Sequence, residues 1–331
     1  MAEKFSSFER VVGNIAEAEK EKILREKGER FDDQFFERMK GKEREKTPEE
    51  LEIISLVDEA TNKLRRKYGL EDFNIPAKNI HVIKEEEWSP TEAGLPEGKG
   101  VAVYSHKPQA VAMREQPHKI VFMKFAFHEM LHFKSYGALQ ITSGDSPELQ
   151  DYRMGLIVHT RDGKTKYFTN LNEAVTEEMT IRFASKLFDN QLFAEERRQT
   201  KKLIKKYPNA QSDSGGPLFT DDTYCADIDK KKTWGQAIGR IFGRERMVTA
   251  AFTYPAERKI LNTLIDKIFE RNPEQFKDKE EVFEVFCQSM MTGNILPIGR
   301  LIDNTFSHGT LRRIGEMDQN IKEQEEFVNS L

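Results

Sequence analysis

Residues 118–136 read His118-Lys119-Ile120-Val121-Phe122-Met123-Lys124-Phe125-Ala126-Phe127-His128-Glu129-Met130-Leu131-His132-Phe133-Lys134-Ser135-Tyr136. The stretch is helix-length, mostly apolar and free of Pro and Gly. On a helix, residues four apart differ in direction by only about 40°, so the imidazoles of His128 and His132 face one point. Two histidines at that spacing offer two corners of a zinc tetrahedron. Glu129 lies beside them, placed to take a proton from a water that the metal activates. Phe125, Phe127, Leu131 and Phe133 bury the helix, which holds the ligands still and lowers the local dielectric.

A catalytic zinc site needs a third protein ligand and a fourth, open position. The metzincin pattern is excluded, because seven and ten residues after His128 it requires Gly and His, and this chain has Ser135 and Ala138. Asn172-Glu173-Ala174-Val175-Thr176-Glu177 meets the need differently. Glu173 and Glu177 share a helix face, so one can bind metal while the other stands behind a ligand histidine and accepts its second ring proton. From spacing alone, Glu177, Glu178 and His159 are alternatives to Glu173 as the third ligand.

Together the two stretches resemble the gluzincin metallopeptidases, the thermolysin-like family with a His-Glu-x-x-His helix and a later glutamate. The resemblance covers residues 118 to 188, about a fifth of the chain. It implies zinc held by His128, His132 and Glu173, with Glu129 as general base. Glu177 takes the place of the carboxylate behind a ligand, where thermolysin has Asp. The interval from His132 to Glu173 is 41 residues (173 − 132), longer than in thermolysin. A hairpin signalled by Arg161-Asp162-Gly163 within 153–171 can fill it.

The implied reaction is hydrolysis of a peptide or protein substrate, most simply by an endopeptidase. The family commonly adds a Tyr or His that stabilises the oxyanion. Tyr152, Tyr167, Tyr254 and His308 are the candidates, with Tyr254 and His308 preferred because each opens a late helix. An edge strand that pairs with extended substrate is sought in Val101 to Tyr104 or Val111 to Met113. The alternative is a catalytically inactive zincin-like domain that binds a partner or senses metal. The retained Glu129 speaks against it. Ser212-Asp213-Ser214-Gly215-Gly216-Pro217 looks like a serine-protease nucleophile, but without the accompanying motifs it reads as a Ser/Gly turn.

Around this centre the chain is expected to be α+β. A zincin-like core over 47–190 places a small mixed sheet over the His128 helix. A polar loop or linker spans 191–233, and a mainly helical 234–331 completes the cleft. Residues 1–46 form a charged arm, helical or mobile, with Phe5, Phe8, Val11, Val12 and Ile15 on one short amphipathic helix face. Thr47-Pro48-Glu49-Glu50 opens a helix whose apolar side carries Leu51, Ile54, Val57 and Leu64 and which ends at Tyr68-Gly69.

Of 331 residues, 52 are Lys or Arg and 56 Asp or Glu, so the net charge of −4 gives no electrostatic case for nucleic acid. No apolar run approaches the roughly 18 to 20 residues of a membrane span. The opening MAEKFSSFER has no apolar signal region, and two cysteines, Cys225 and Cys287, suit a reducing compartment, so a cytoplasmic protein is expected.

Overall fold

The structure, a computed structural model, describes residues 7–29, 41–92, 100–144, 146–212, 215–229 and 246–331. Helices mix with small sheets, as expected for an α+β chain. β1 (Phe8–Val12) and α1 (Glu17–Glu29) precede α2 (Pro48–Lys67). β2 (Ile80–Ile83), β3 (Ala102–Ser105) and β4 (Ala110–Arg114) then lead into the motif helix α3 (Lys119–Lys134). These three strands form a mixed sheet of order β2-β4-β3, with β2 parallel and β3 antiparallel to β4. The sheet packs on α3, and α2 runs along the same helix.

Capping chemistry sets the start of α2. The Thr47 hydroxyl accepts from the Glu50 N–H at 3.2 Å, and the Glu50 carboxylate accepts from the Thr47 N–H at 2.9 Å. Ile54, Val57 and Leu64 are buried as expected, but Leu51 is 45% exposed and Ile53 takes its place in the core. At about 100° per residue, Leu51 points roughly 120° away from Val57, off the buried face.

α3 is buried all round rather than on one stripe. Phe122, Phe127 and Phe133 are fully enclosed, each contributing roughly 1.5–3 kcal/mol of burial. Its N-terminus borrows a cap from a distant segment. Both oxygens of Glu196 accept backbone N–H groups, from Lys119 and Ile120, at 2.8 Å each. That carboxylate satisfies two free donors and faces the positive end of the helix dipole.

After α3 the chain makes β5 (Gly137–Ile141), β6 (Leu149–Met154), β7 (Ile157–His159) and β8 (Lys166–Tyr167), a sheet completed by β1 at its edge. The expected hairpin exists as β7–β8, pairing His159 with Lys166, but its strands are short because the chain turns at Gly155. β1 corrects the expected amphipathic helix for residues 8–12. It pairs parallel with β5, and a register shift between Phe8 and Arg10 puts Phe8 and Val11 in the core three residues apart. That bulged spacing imitates helical periodicity. Phe5 lies outside the described residues.

α4 (Thr169–Met179) carries the second motif and continues as a π-helical turn over Thr180–Ala184. The stretch expected to be a polar linker instead contains α5 (Ala194–Lys206) and β9 (Thr223–Asp229). β9 pairs antiparallel with β10 (Arg246–Ala251), an unexpected strand at the start of the C-terminal part. α6 (Pro255–Arg271), α7 (Lys279–Thr292), α8 (Leu296–Thr305), α9 (Thr310–Glu316) and α10 (Ile321–Ser330) follow, matching the expected helical end. Ile260, Leu261, Leu264, Ile265 and Ile268 of α6 share one core with α2, α3 and α4. No helix among the described residues is long and apolar enough to cross a membrane.

Candidate metal centre

Three donor atoms converge where α3 meets α4. His128 Nε2 lies 3.1 Å from His132 Nε2, and Glu173 Oε2 lies 3.4 Å from the first and 3.3 Å from the second. Donors about 2.0–2.1 Å from a tetrahedral ion stand about 3.3–3.4 Å apart, so the triangle has the right size. Among the described residues these three form the group of His, Cys, Asp and Glu side chains able to hold a metal.

Burial pulls the His128 imidazole down, but Glu173 and Glu177 outweigh it and lift the ring to about 9. Burial likewise opposes ionisation of Glu173, yet the two imidazoles hold its carboxyl far below the usual range. The cluster is therefore built around positive charge.

Each imidazole is oriented from behind. Glu177, fully buried, places Oε2 2.7 Å from His128 Nδ1, which leaves Nε2 facing the triangle. Its other oxygen accepts the Thr253 N–H at 2.6 Å and lies 2.9 Å from Lys124 Nζ. Burial pushes Glu177 upward, but His128 and Lys124 reverse this and keep it ionised. The Asn172 amide reaches His132 Nδ1 at 3.3 Å, while its Oδ1 accepts the Leu156 N–H at 2.9 Å. With Oδ1 held by the Leu156 N–H, the amide nitrogen faces His132 Nδ1, and that nitrogen can only donate. Gly155 makes this approach possible. Its φ is +56°, and a Cβ there would lie 2.5 Å from Asn172 Oδ1.

Glu129 is 7% exposed, and its Oε2 accepts the Tyr104 N–H of β3 at 2.7 Å. β3 is one of the sheet's two edge strands, whereas Val111 to Met113 lie in the central strand β4. The Arg114 N–H bonds to the Val101 carbonyl, and Val103 faces Ala112 in the same alternation. Backbone groups of Ala102 and Tyr104 therefore point away from β4, along the edge beside Glu129.

Compared with known proteins, the chain matches no family model, no curated protein and no solved structure.

Of the two preferred oxyanion donors, the fold brings one to the centre. Tyr254 stacks its ring on His128, with centroids 5.8 Å apart and planes 13° from parallel. The charge of Glu173, together with burial, holds the Tyr254 phenol well above its ordinary range, so it stays protonated. The residue adopts a left-handed conformation, φ 55° and ψ 45°, directly before Pro255. A residue preceding proline prefers extended backbone, so this placement is strained and must be held by its surroundings. His308, by contrast, is fully exposed and pairs with Asp303 at 3.3 Å; it is not brought to the cluster.

The alternatives for the third ligand are engaged elsewhere. Glu178 pairs with Arg258 at 2.9 Å, and His159 belongs to the β7–β8 hairpin. Tyr152 packs under the Arg161 guanidinium, and Tyr167 lines a cavity of about 330 Å³ with Gly315 and Asp318. The Ser212 hydroxyl donates to the Gly216 carbonyl at 3.2 Å, and a Gln211–Pro217 bridge closes that turn; Asp213 and Ser214 lie outside the described residues.

Sequence reasoning missed Lys124 and Thr253 as parts of the site, and it quoted Asn172 in the second motif without a role. Lys124 had a signal, since a lysine one turn before His128 in an apolar helix needs a buried partner. Thr253 had none, because a backbone N–H carries no mark in the sequence.

Proposed function

We propose that this chain is a zinc-dependent peptidase, most simply an endopeptidase, with a zincin-like core. One observation carries the reading: the triangle of His128, His132 and Glu173, with edges of 3.1 to 3.4 Å, beside the buried carboxylate of Glu129. The donor set of two imidazoles and one carboxylate suits zinc and leaves a coordination position open.

Bound zinc would supply Lewis-acid polarisation of the scissile carbonyl and lower the pKa of a water. The protein supplies the rest. Glu129 accepts the water's proton and returns it to the leaving amine. The Tyr104 N–H fixes one oxygen of Glu129, so the carboxylate need not reorient between those steps. Along the β3 edge the Ala102 N–H and carbonyl and the Tyr104 carbonyl are placed to pair with an extended substrate, which favours a peptide segment over a compact ligand. Tyr254, held protonated, donates to the oxygen that gains negative charge. Cys225 and Cys287 are both free and buried, in keeping with a cytoplasmic setting.

The test pairs metal content with cleavage of a peptide library, using Glu129→Gln as the control. One zinc per chain is expected in both proteins, with turnover in the variant reduced about 10³-fold or more. Undiminished cleavage by Glu129→Gln would remove the mechanism. Stoichiometric zinc with no cleavage in either protein would favour the metal-sensing or partner-binding alternative.

A further inference from the structure

Lys124 sits in the motif helix with no part in the hydrolytic scheme. Its side chain is only 1% exposed, although desolvating an ammonium is costly unless it is paired. Nζ lies 2.9 Å from Glu177 Oε1 and 3.0 Å from Thr253 Oγ1. The other Glu177 oxygen lies 2.7 Å from His128 Nδ1. An ammonium and a ligand imidazole, one helical turn apart, thus share a single carboxylate.

Charge balance gives this arrangement a consequence. Burial pulls the Lys124 ammonium below its ordinary range, and the charges of Glu177, Glu129 and Glu173 oppose that pull. Three carboxylates around a divalent cation leave one negative charge over, and Lys124 cancels it. A carboxylate that also serves an ammonium draws less strongly on the Nδ1 proton of His128, so Nε2 is a weaker electron donor.

We infer that Lys124 is a positioning residue that limits how tightly the centre holds its metal, acting through Glu177. The inference rests on the zinc reading above. Such a limit keeps the cation electron-poor, which is what carbonyl polarisation demands. Orientation of Glu177 does not depend on Lys124 alone, because the Thr253 N–H and His128 Nδ1 each hold one of its oxygens. Removing the ammonium therefore strengthens the carboxylate's pull on His128 while leaving the carboxylate in place.

The experiment measures zinc affinity, by competition with a chromophoric chelator, for wild type, Lys124→Met, Lys124→Gln and Glu177→Gln, and for each Lys124 change combined with Glu177→Gln. Lys124→Gln keeps a donor for Glu177, and Lys124→Met/Glu177→Gln leaves neither charge unpaired, so the comparison survives poor folding of Lys124→Met. Both single Lys124 variants are expected to bind zinc about fivefold or more tightly than wild type. Cobalt-substituted protein should show a shifted visible spectrum in the same variants. In the Glu177→Gln background, replacing Lys124 should tighten zinc binding by a clearly smaller factor, because only the direct repulsion between ammonium and cation remains. Weaker zinc binding in both single variants, or an equal change in both backgrounds, would make Lys124 a purely structural residue and overturn the inference. Zinc bound by wild type but indifferent to Lys124 also overturns it and leaves the peptidase reading standing. A wild-type protein that binds no zinc removes both.

Discussion

The two motif helices and the segment that follows them differ in how openly their sequence declares their chemistry. α3 and α4 present His128, Glu129, His132 and Glu173 at helical spacings, so the donor set is visible in two short strings. Residues 191–233 look like polar connection, yet they supply the Glu196 cap of α3, and the turn before α6 supplies the Thr253 N–H on Glu177 and the Tyr254 ring on His128. Ligands must share a helix face, which imposes a period on the sequence. The groups that hold them in place arrive one at a time from separate turns, and no period marks them.

The sharpest way to break this contrast is to test whether the late segment takes part in the reaction. Tyr254→Phe keeps the stacked ring and removes only the hydroxyl. Its kcat should fall about 10²-fold or more with zinc content unchanged, whereas His308→Ala should retain wild-type kinetics. The reverse pattern would return the oxyanion role to His308 and leave Tyr254 a packing residue.

A smaller effect is expected behind the second imidazole. Asn172→Ala removes the group at His132 Nδ1 and also the acceptor for the Leu156 N–H. Zinc affinity should drop roughly 10- to 100-fold, measured by chelator competition. An unchanged affinity would mean that α3 packing alone aims His132.

The smallest effect belongs to the borrowed cap. Glu196→Ala leaves the N–H groups of Lys119 and Ile120 without their acceptor, and denaturant unfolding should report a loss of about 1–2 kcal/mol. No loss would show that α5 is the passive linker its composition suggests.

Legibility followed the physics of each element. The Thr47–Glu50 start and the α3 segment carry strong local signals, and both lie where the sequence places them. Leu51 misled because an apolar residue at a helix start can fall outside the buried arc. Phe8 and Val11 misled because a bulge gave a strand the spacing of a helix. α5 buries only Thr200 and Leu203, too little apolar surface to separate it from a loop. In the site, the helical motifs identified the converging donors, but choosing between Tyr254 and His308 needed the chain's path in space.

The central claim is that one metal ion sits among His128 Nε2, His132 Nε2 and Glu173 Oε2. Diffraction data collected on either side of the zinc absorption edge, from crystals of zinc-loaded protein, test it most directly. The account predicts a single strong anomalous peak about 2.0–2.1 Å from all three atoms, with Glu177 still on His128 Nδ1. A peak elsewhere, or one that recruits Glu177 in place of Glu173, would contradict it.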